Sequence, residues 1–140
     1  SFSTFDPLGD RTEKDDLLGN LTDADPASGW RTENYGAKGI GATKAGVGLV
    51  VTLASPAQHL RRLDVTTPVG GWKATVHTTG DALPADVAGW GPAVGTLTPD
   101  QAGTVTVDLR GRVGRRILIW FTQTTVDGTA RVDRVEVRAR

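Results

Sequence analysis

The chain has 140 residues, near the usual size of one domain: long enough to bury a sizeable core and short for two. Its 16 Lys and Arg balance 16 Asp and Glu, a neutral total that argues against a general electrostatic grip on nucleic acid. It has no cysteine, which excludes a disulfide framework, a Cys-ligated zinc site and a thiol nucleophile together. In chain order, residues 1–45 are acidic at Asp6, Asp10, Glu13, Asp15, Asp16, Asp23 and Asp25, then glycine-rich from Gly36 to Gly48. Within them Asp10 to Leu18 could make one short helix, with Thr12 as N-cap and carboxylates in its first turn. Period-two alternation then predicts strands at Val47–Leu53, around Leu63 and Val65, and at Trp72–Val76, each with one face in a core and one wet. The segment Asp81 to Thr98 reads as a long surface loop that carries Trp90. Three more strands follow, at Val105–Leu109, Ile117–Phe121 and Val135–Val137. Gly70-Gly71, Pro99-Asp100 and Asp127-Gly128 supply turns between the runs.

Six or seven short strands without a convincing helix predict a single all-β domain over residues 1–140, a two-sheet antiparallel sandwich or jelly roll. Residues 1–45 pack on it or lead into it. The longest apolar stretches, Val47 to Ala54 and Ile117 to Phe121, fall far short of the roughly 20 residues a membrane-spanning helix needs. No basic-plus-apolar leader precedes Ser1, so the chain reads as a cytosolic protein or as a piece of a longer one.

The catalytic census is nearly empty. His59 and His77 fall in strands, with no second ligand at metal-binding spacing, and read as strand-surface imidazoles. No nucleophile elbow exists. The acidic N-terminal segment is too polar to supply the raised carboxyl pKa that glycoside hydrolysis needs. The run Gly36-Ala37-Lys38-Gly39-Ile40-Gly41-Ala42-Thr43 fails as a phosphate loop, because Ala42 stands where the lysine should and a strand follows. Asn20-Leu21-Thr22 fits a glycosylation sequon, a triplet common by chance.

Charge is polarised although it cancels. Acids crowd the first quarter, while Arg110, Arg112, Arg115, Arg116, Arg131, Arg134, Arg138 and Arg140 crowd the last. One reading is a basic face for an anionic ligand. The preferred one is that the two chain ends lie side by side and neutralise each other. Of the four tryptophans, Trp30 and Trp120 read as structural. Trp72 and Trp90, beside loops, are the candidates for a ligand platform, since an indole offers a flat apolar face and one donor.

The segment Asp23-Ala24-Asp25-Pro26-Ala27-Ser28-Gly29-Trp30-Arg31-Thr32 resembles the opening of discoidin-like domains, galactose-binding-like jelly rolls also used by many carbohydrate-binding modules. Ser3 to Asp10, Lys44 to Val50, Leu118 to Thr122 and Val135-Glu136-Val137 resemble one branch of them. That branch is the extracytoplasmic C-terminal domain of actinobacterial MviN-type lipid II flippases fused to a pseudokinase. The resemblance implies a possible structural calcium at Asp23, Asp25 and Ser28. Ala24 replaces the family's glycine, however, and Arg134 stands where a helper Glu belongs, so turn-capping by the same side chains is preferred and no cofactor is expected.

The resemblance further implies a plasma-membrane protein whose domain lies outside the cytoplasm, monomeric when excised. It would bind cell-wall glycan, a lipid-linked peptidoglycan precursor or an envelope protein. Trp72 and Trp90 would then stack on sugar, and Arg112, Arg115 and Arg116 would clamp carboxylate or diphosphate. The alternatives are a docking or sensor domain of a kinase-like membrane protein without a small ligand, and a hydrolase whose site assembles only in space.

Overall fold

The computed structural model describes residues 1–9, 13–21, 29–42, 44–54, 57–80 and 82–139. Among them ten strands run in chain order: β1 (Phe2–Phe5), β2 (Trp30–Arg31), β3 (Val47–Thr52), β4 (Gln58–Thr67), β5 (Lys73–Thr79), β6 (Gly95–Leu97), β7 (Gly103–Gly114), β8 (Arg116–Gln123), β9 (Arg131–Val132) and β10 (Arg134–Ala139). They form a five-stranded sheet in the order β1-β3-β8-β5-β6, a three-stranded sheet β10-β4-β7, and the pair β2-β9. Every pairing is antiparallel. The two larger sheets pack face to face, giving the expected all-β jelly-roll sandwich. Between them lies a core that includes Trp30, Leu49, Leu63, Val65, Trp72, Val76, Leu109, Ile119 and Phe121.

Three differences from the sequence expectation have physical causes. Of the helix predicted over Asp10–Leu18, residues 10–12, with the expected N-cap Thr12, lie outside the described residues, and the described part belongs instead to a 3-10 segment at Asp15–Leu21. Gly19 and Asn20 weaken any α-helix there, while Leu17, Leu18 and Leu21 fasten the segment to the core. β3 and β8 are not wet on one face: Val47 to Val51 and Ile117 to Phe121 are buried throughout. Their outer side is covered by a second cluster of Phe5, Val50, Trp90, Leu118 and Trp120. An uninterrupted apolar run is what a strand covered on both faces requires. The segment read as the Asp81–Thr98 loop, finally, holds regular structure among its described residues. It carries a 3-10 turn at Val87–Trp90, capped by Asp86, and the short strand β6.

Register defines two ends. At one, Thr52, Arg116 and Thr79 lie level across β3, β8 and β5, close to Ser1, whose ammonium donates to Thr52 O at 2.7 Å. Gln58 and Gly114 mark the same end of the three-stranded sheet. At the other, called the loop end below, gather the long β1–β3 connection, the β4–β5 and β6–β7 turns and the β8–β9 turn.

Candidate functional site

The residues singled out in the sequence do not converge. Trp72 is 0% exposed; its Nε1 donates to Thr67 Oγ1 at 3.0 Å, and its ring meets Phe121 edge-on, 5.2 Å between centroids. Trp90 is 4% exposed and packs edge-on against Phe5 at 6.1 Å. Neither indole offers an open face, which corrects the expectation of a stacking platform. In an aromatic-poor chain, rings of this size stabilise more inside the fold than on a loop.

The arginines stand elsewhere. Arg116 pairs with Thr79 at the far end of β5, whereas Trp72 precedes Lys73 at the loop end. Six residues of strand separate those levels, roughly 20 Å at the usual rise. Arg115 Nε donates to Leu53 O at 2.9 Å and Arg116 Nη1 to Thr52 Oγ1 at 3.1 Å, so both fasten strand ends together, while Arg112 is exposed. The loop of Asp23, Asp25 and Ser28, for which the sequence favours turn-capping over calcium, lies outside the described residues; Arg134 pairs with Glu136 at 2.9 Å. The chain ends do not pair as strands, because β1 and β10 belong to different sheets. His59 is exposed as expected. His77 is buried, corrected by the loop that folds over it: its Nδ1 lies 2.9 Å from Gly91 O and its Nε2 2.9 Å from Thr75 Oγ1.

Beneath the loop end lies a polar layer that sequence reasoning missed. Asp6, 2% exposed, pairs with Lys44 Nζ at 2.7 Å, and the same ammonium sits 5.2 Å from the centre of the Tyr35 ring. Tyr35 OH donates to Glu13 Oε2 at 2.6 Å, where the Glu33 amide also donates at 2.8 Å, and Trp30 Nε1 donates to Glu13 O at 2.9 Å. Burial, opposed by those hydrogen bonds, holds the Glu13 carboxyl above the usual carboxylate range. Burial and the neighbouring carboxylate push the Tyr35 phenol up as well. The raised Glu13 carboxyl corrects the expectation that the acidic N-terminal segment is too polar to lift a carboxyl pKa, because burial, not the segment's composition, sets it. Glu13 is closed off from solvent and hydrogen-bonded to Tyr35 and Glu33, so the layer serves as a foundation.

On this foundation stands a shallow cleft of about 290 Å³ between the turn Ala37–Gly41 and the chain from Thr122 to Val126. Two tight turns make it. In the first, Gly39 N donates to Gly36 O, and Ile40 N then donates to Thr124 Oγ1 at 3.1 Å, tying one wall to the other. In the second, Thr125 and Thr129 hydroxyls both donate to Asp127, holding its carboxyl below its ordinary range. Gly128, at φ 87°, closes that turn; a side chain there would strike Asn34 Oδ1 and the backbone of Gly36. Lys38, Thr122, Gln123 and Val126 are exposed on the lining. Gln123 Nε2 donates to Gly71 O at 2.9 Å, and Gly71 N donates to Pro99 O at 2.8 Å. Gly71 thereby links this cleft to a second depression, about 530 Å³, along Thr98–Val105. Gly36, Gly39 and the Asp127-Gly128 turn were visible in the sequence; that they face each other was not.

No family model and no curated protein sequence matches the chain. Solved structures match it in fold. CpGH89CBM32-6 of Clostridium perfringens gives a TM-score of 0.69 at 10% identity, over 100% of this chain and 93% of that one. The family 32 carbohydrate-binding module of C. perfringens NanJ, in complex with galactose, gives 0.67 at 16% identity, over 98% and 91%. Chitosan-binding module 1 from a chitosanase/glucanase of Paenibacillus sp. IK-5 gives 0.68 at 13% identity, over 99% and 94%. Identity this low speaks for the fold alone: a galactose-binding-like jelly roll.

Proposed function

We propose that the domain is a non-catalytic glycan-binding module with its ligand in the loop-end cleft. The observation that carries this reading is the composition of the exposed lining: the Thr122 hydroxyl, the Gln123 amide, backbone groups, the Lys38 ammonium and the methyls of Val126, over walls tied by the Thr124 and Thr125 hydroxyls. Such a set hydrogen-bonds a polyol and packs against one sugar edge. It includes no nucleophile with a base beside it and no pair of carboxylates, so it supplies no route to bond cleavage. The sugar complexes and sugar-binding names among the similar folds support the same reading, by analogy.

More finely, the sequence resemblance and Lys38 favour an acidic envelope sugar, a peptidoglycan fragment or lipid-linked precursor, met outside the cytoplasm on a plasma-membrane protein. A shallow site gives micromolar to millimolar affinity, about 4 to 8 kcal/mol. Titration with galactose, chitosan oligomers and muropeptides, followed by amide shifts, tests it. Shifts centred on Lys38 to Gly41 and Thr122 to Val126 are expected, weakened by Lys38→Ala with muropeptide. No movement there at millimolar sugar overturns the reading. A protein-docking role is the second reading, favoured by Val126 at 93% and Leu8 at 57% exposure on this same end. Capture of a protein partner that Val126→Asp abolishes would establish it instead.

A further inference from the structure

The outer face of the three-stranded sheet gathers positive charge away from the cleft. Register sets Arg138 of β10 beside Arg62 of β4, and Arg62 opposite Asp108 of β7. One step further from the loop end, Arg112 lies opposite the buried Leu60 and so belongs to the core-facing side at the sheet's end, outside this outer face. Between those levels both neighbours of β4 shift register, and Arg110 occupies the bulge. Arg110 and Arg138 are exposed, and among the described residues neither of them makes an ion pair. Arg62 reaches Asp64 at 3.2 Å and stays 44% exposed.

Two features mark the arrangement as more than a solvated face. Like charges directly opposite across strands destabilise a sheet, yet Arg138 faces Arg62. Arg110 also holds φ at 59°, a left-handed backbone that glycine adopts more easily, with its amide donating to Asp108 Oδ1 at 2.7 Å. An anion lying on the face relieves the first and gives the second a use.

We propose that this face is a second binding surface, taking an acidic polysaccharide whose carboxylates meet Arg62, Arg110 and Arg138. A guanidinium matches a carboxylate with two parallel donors. The same face carries Asp64, Asp108, the Arg134–Glu136 pair, Thr66, Thr104 and Thr106, groups that suit sugar hydroxyls. Those carboxylates repel a uniformly anionic plane such as a phospholipid surface. The flat sheet favours an extended chain over a small ligand. The surface is separate from the loop-end cleft, so either can fail alone.

The test is an amide-shift titration of the intact chain at low salt with oligogalacturonate and with hyaluronan oligomers. A neutral galactan, inorganic polyphosphate and phosphatidylglycerol vesicles are run beside them. Expected are shifts on β4, β7 and β10 with the two acidic sugars, weakening steeply as salt is raised. The variant Arg138→Gln should lose several-fold in affinity, with its melting temperature unchanged. Arg110→Gly should also weaken binding without lowering the melting temperature, a combination a purely structural role for Arg110 does not give. The proposal is overturned by silence with both acidic sugars at millimolar concentration, by equal binding of galactan, polyphosphate or vesicles, or by shifts confined to the loop end.

Discussion

The five-stranded sheet is covered on both sides, and the two covers are built differently. Inside, Trp30 and Trp72 flank Phe121, and each indole N–H has a partner, Glu13 O and Thr67 Oγ1. Outside, Trp90 and Trp120 flank Phe5, and the Trp90 N–H is buried with no partner among the described residues. The inner layer is shared with a second sheet and a polar foundation; the outer one is a loop folded across a sheet face. Burial alone does not make two tryptophans equivalent: the inner pair is wired into the fold, whereas the outer indole is held by packing.

Substitution can break that contrast. The largest expected effect is at Trp72→Ala, about 3 to 5 kcal/mol in denaturant unfolding, because the cavity lies between two sheets that cannot close on it. Trp90→Ala should cost clearly less, since the 87–90 turn can settle; equal losses would mean that the outer cover is as rigid as the core. Lys44→Ala belongs with the large effects as well. It strands the buried Asp6 carboxylate, a change of about 3 to 5 kcal/mol by the same measurement.

Replacement by phenylalanine sharpens the comparison, because it removes the N–H and keeps most of the ring. Trp72→Phe loses a buried hydrogen bond, about 1 kcal/mol beyond the change in ring size, while Trp90→Phe loses no such bond. Melting temperatures of the two variants should differ in that sense.

A titration reaches the inner layer alone. The Glu13 carboxyl titrates above its ordinary 4.5 in the folded chain, so the folded state keeps a proton that the unfolded state releases. Its contribution is fully present below pH 4.5, declines as pH rises through the folded value, and is flat above it. Glu13→Gln should therefore gain stability over the wild type as pH is raised from 4.5 toward neutrality. Tyr35 can donate to the amide oxygen as it does to Glu13. A difference independent of pH would place the titration elsewhere. The smallest effect is expected at Lys38→Ala, which leaves the melting temperature unchanged and alters only sugar binding.

Much of this architecture was legible. Alternation in Trp72 to Val76 and the apolar positions of β3 and β8 set the strands, and the glycine turns set the antiparallel order. β1 was not, because Phe2–Phe5 gives too few alternations to register, nor was β6, three residues inside a proline- and glycine-rich segment. The runs themselves held an unread clue. Ile117-Leu118-Ile119-Trp120-Phe121 has no polar position to turn toward water, which already required a cover on its outer side. The cleft escaped because its walls lie some 85 positions apart in the chain and meet through backbone bonds such as Ile40 N to Thr124, which side-chain chemistry does not announce. The tryptophans misled for a related reason: adjacency to a turn in sequence says nothing about which way a ring swings once the sheets close.

The burial of all four indoles also decides how the molecule interacts with light. With each ring 5% exposed or less, excited-state relaxation by water is suppressed, and emission should lie toward the blue and resist collisional quenchers such as iodide. Trp90, without a hydrogen-bond acceptor among the described residues, should be the bluest of the four. Intrinsic fluorescence is thus a sensitive reporter of unfolding and a nearly silent one for sugar at the loop end. A flat signal in such a titration would speak of where the chromophores sit and say nothing of whether a ligand had bound.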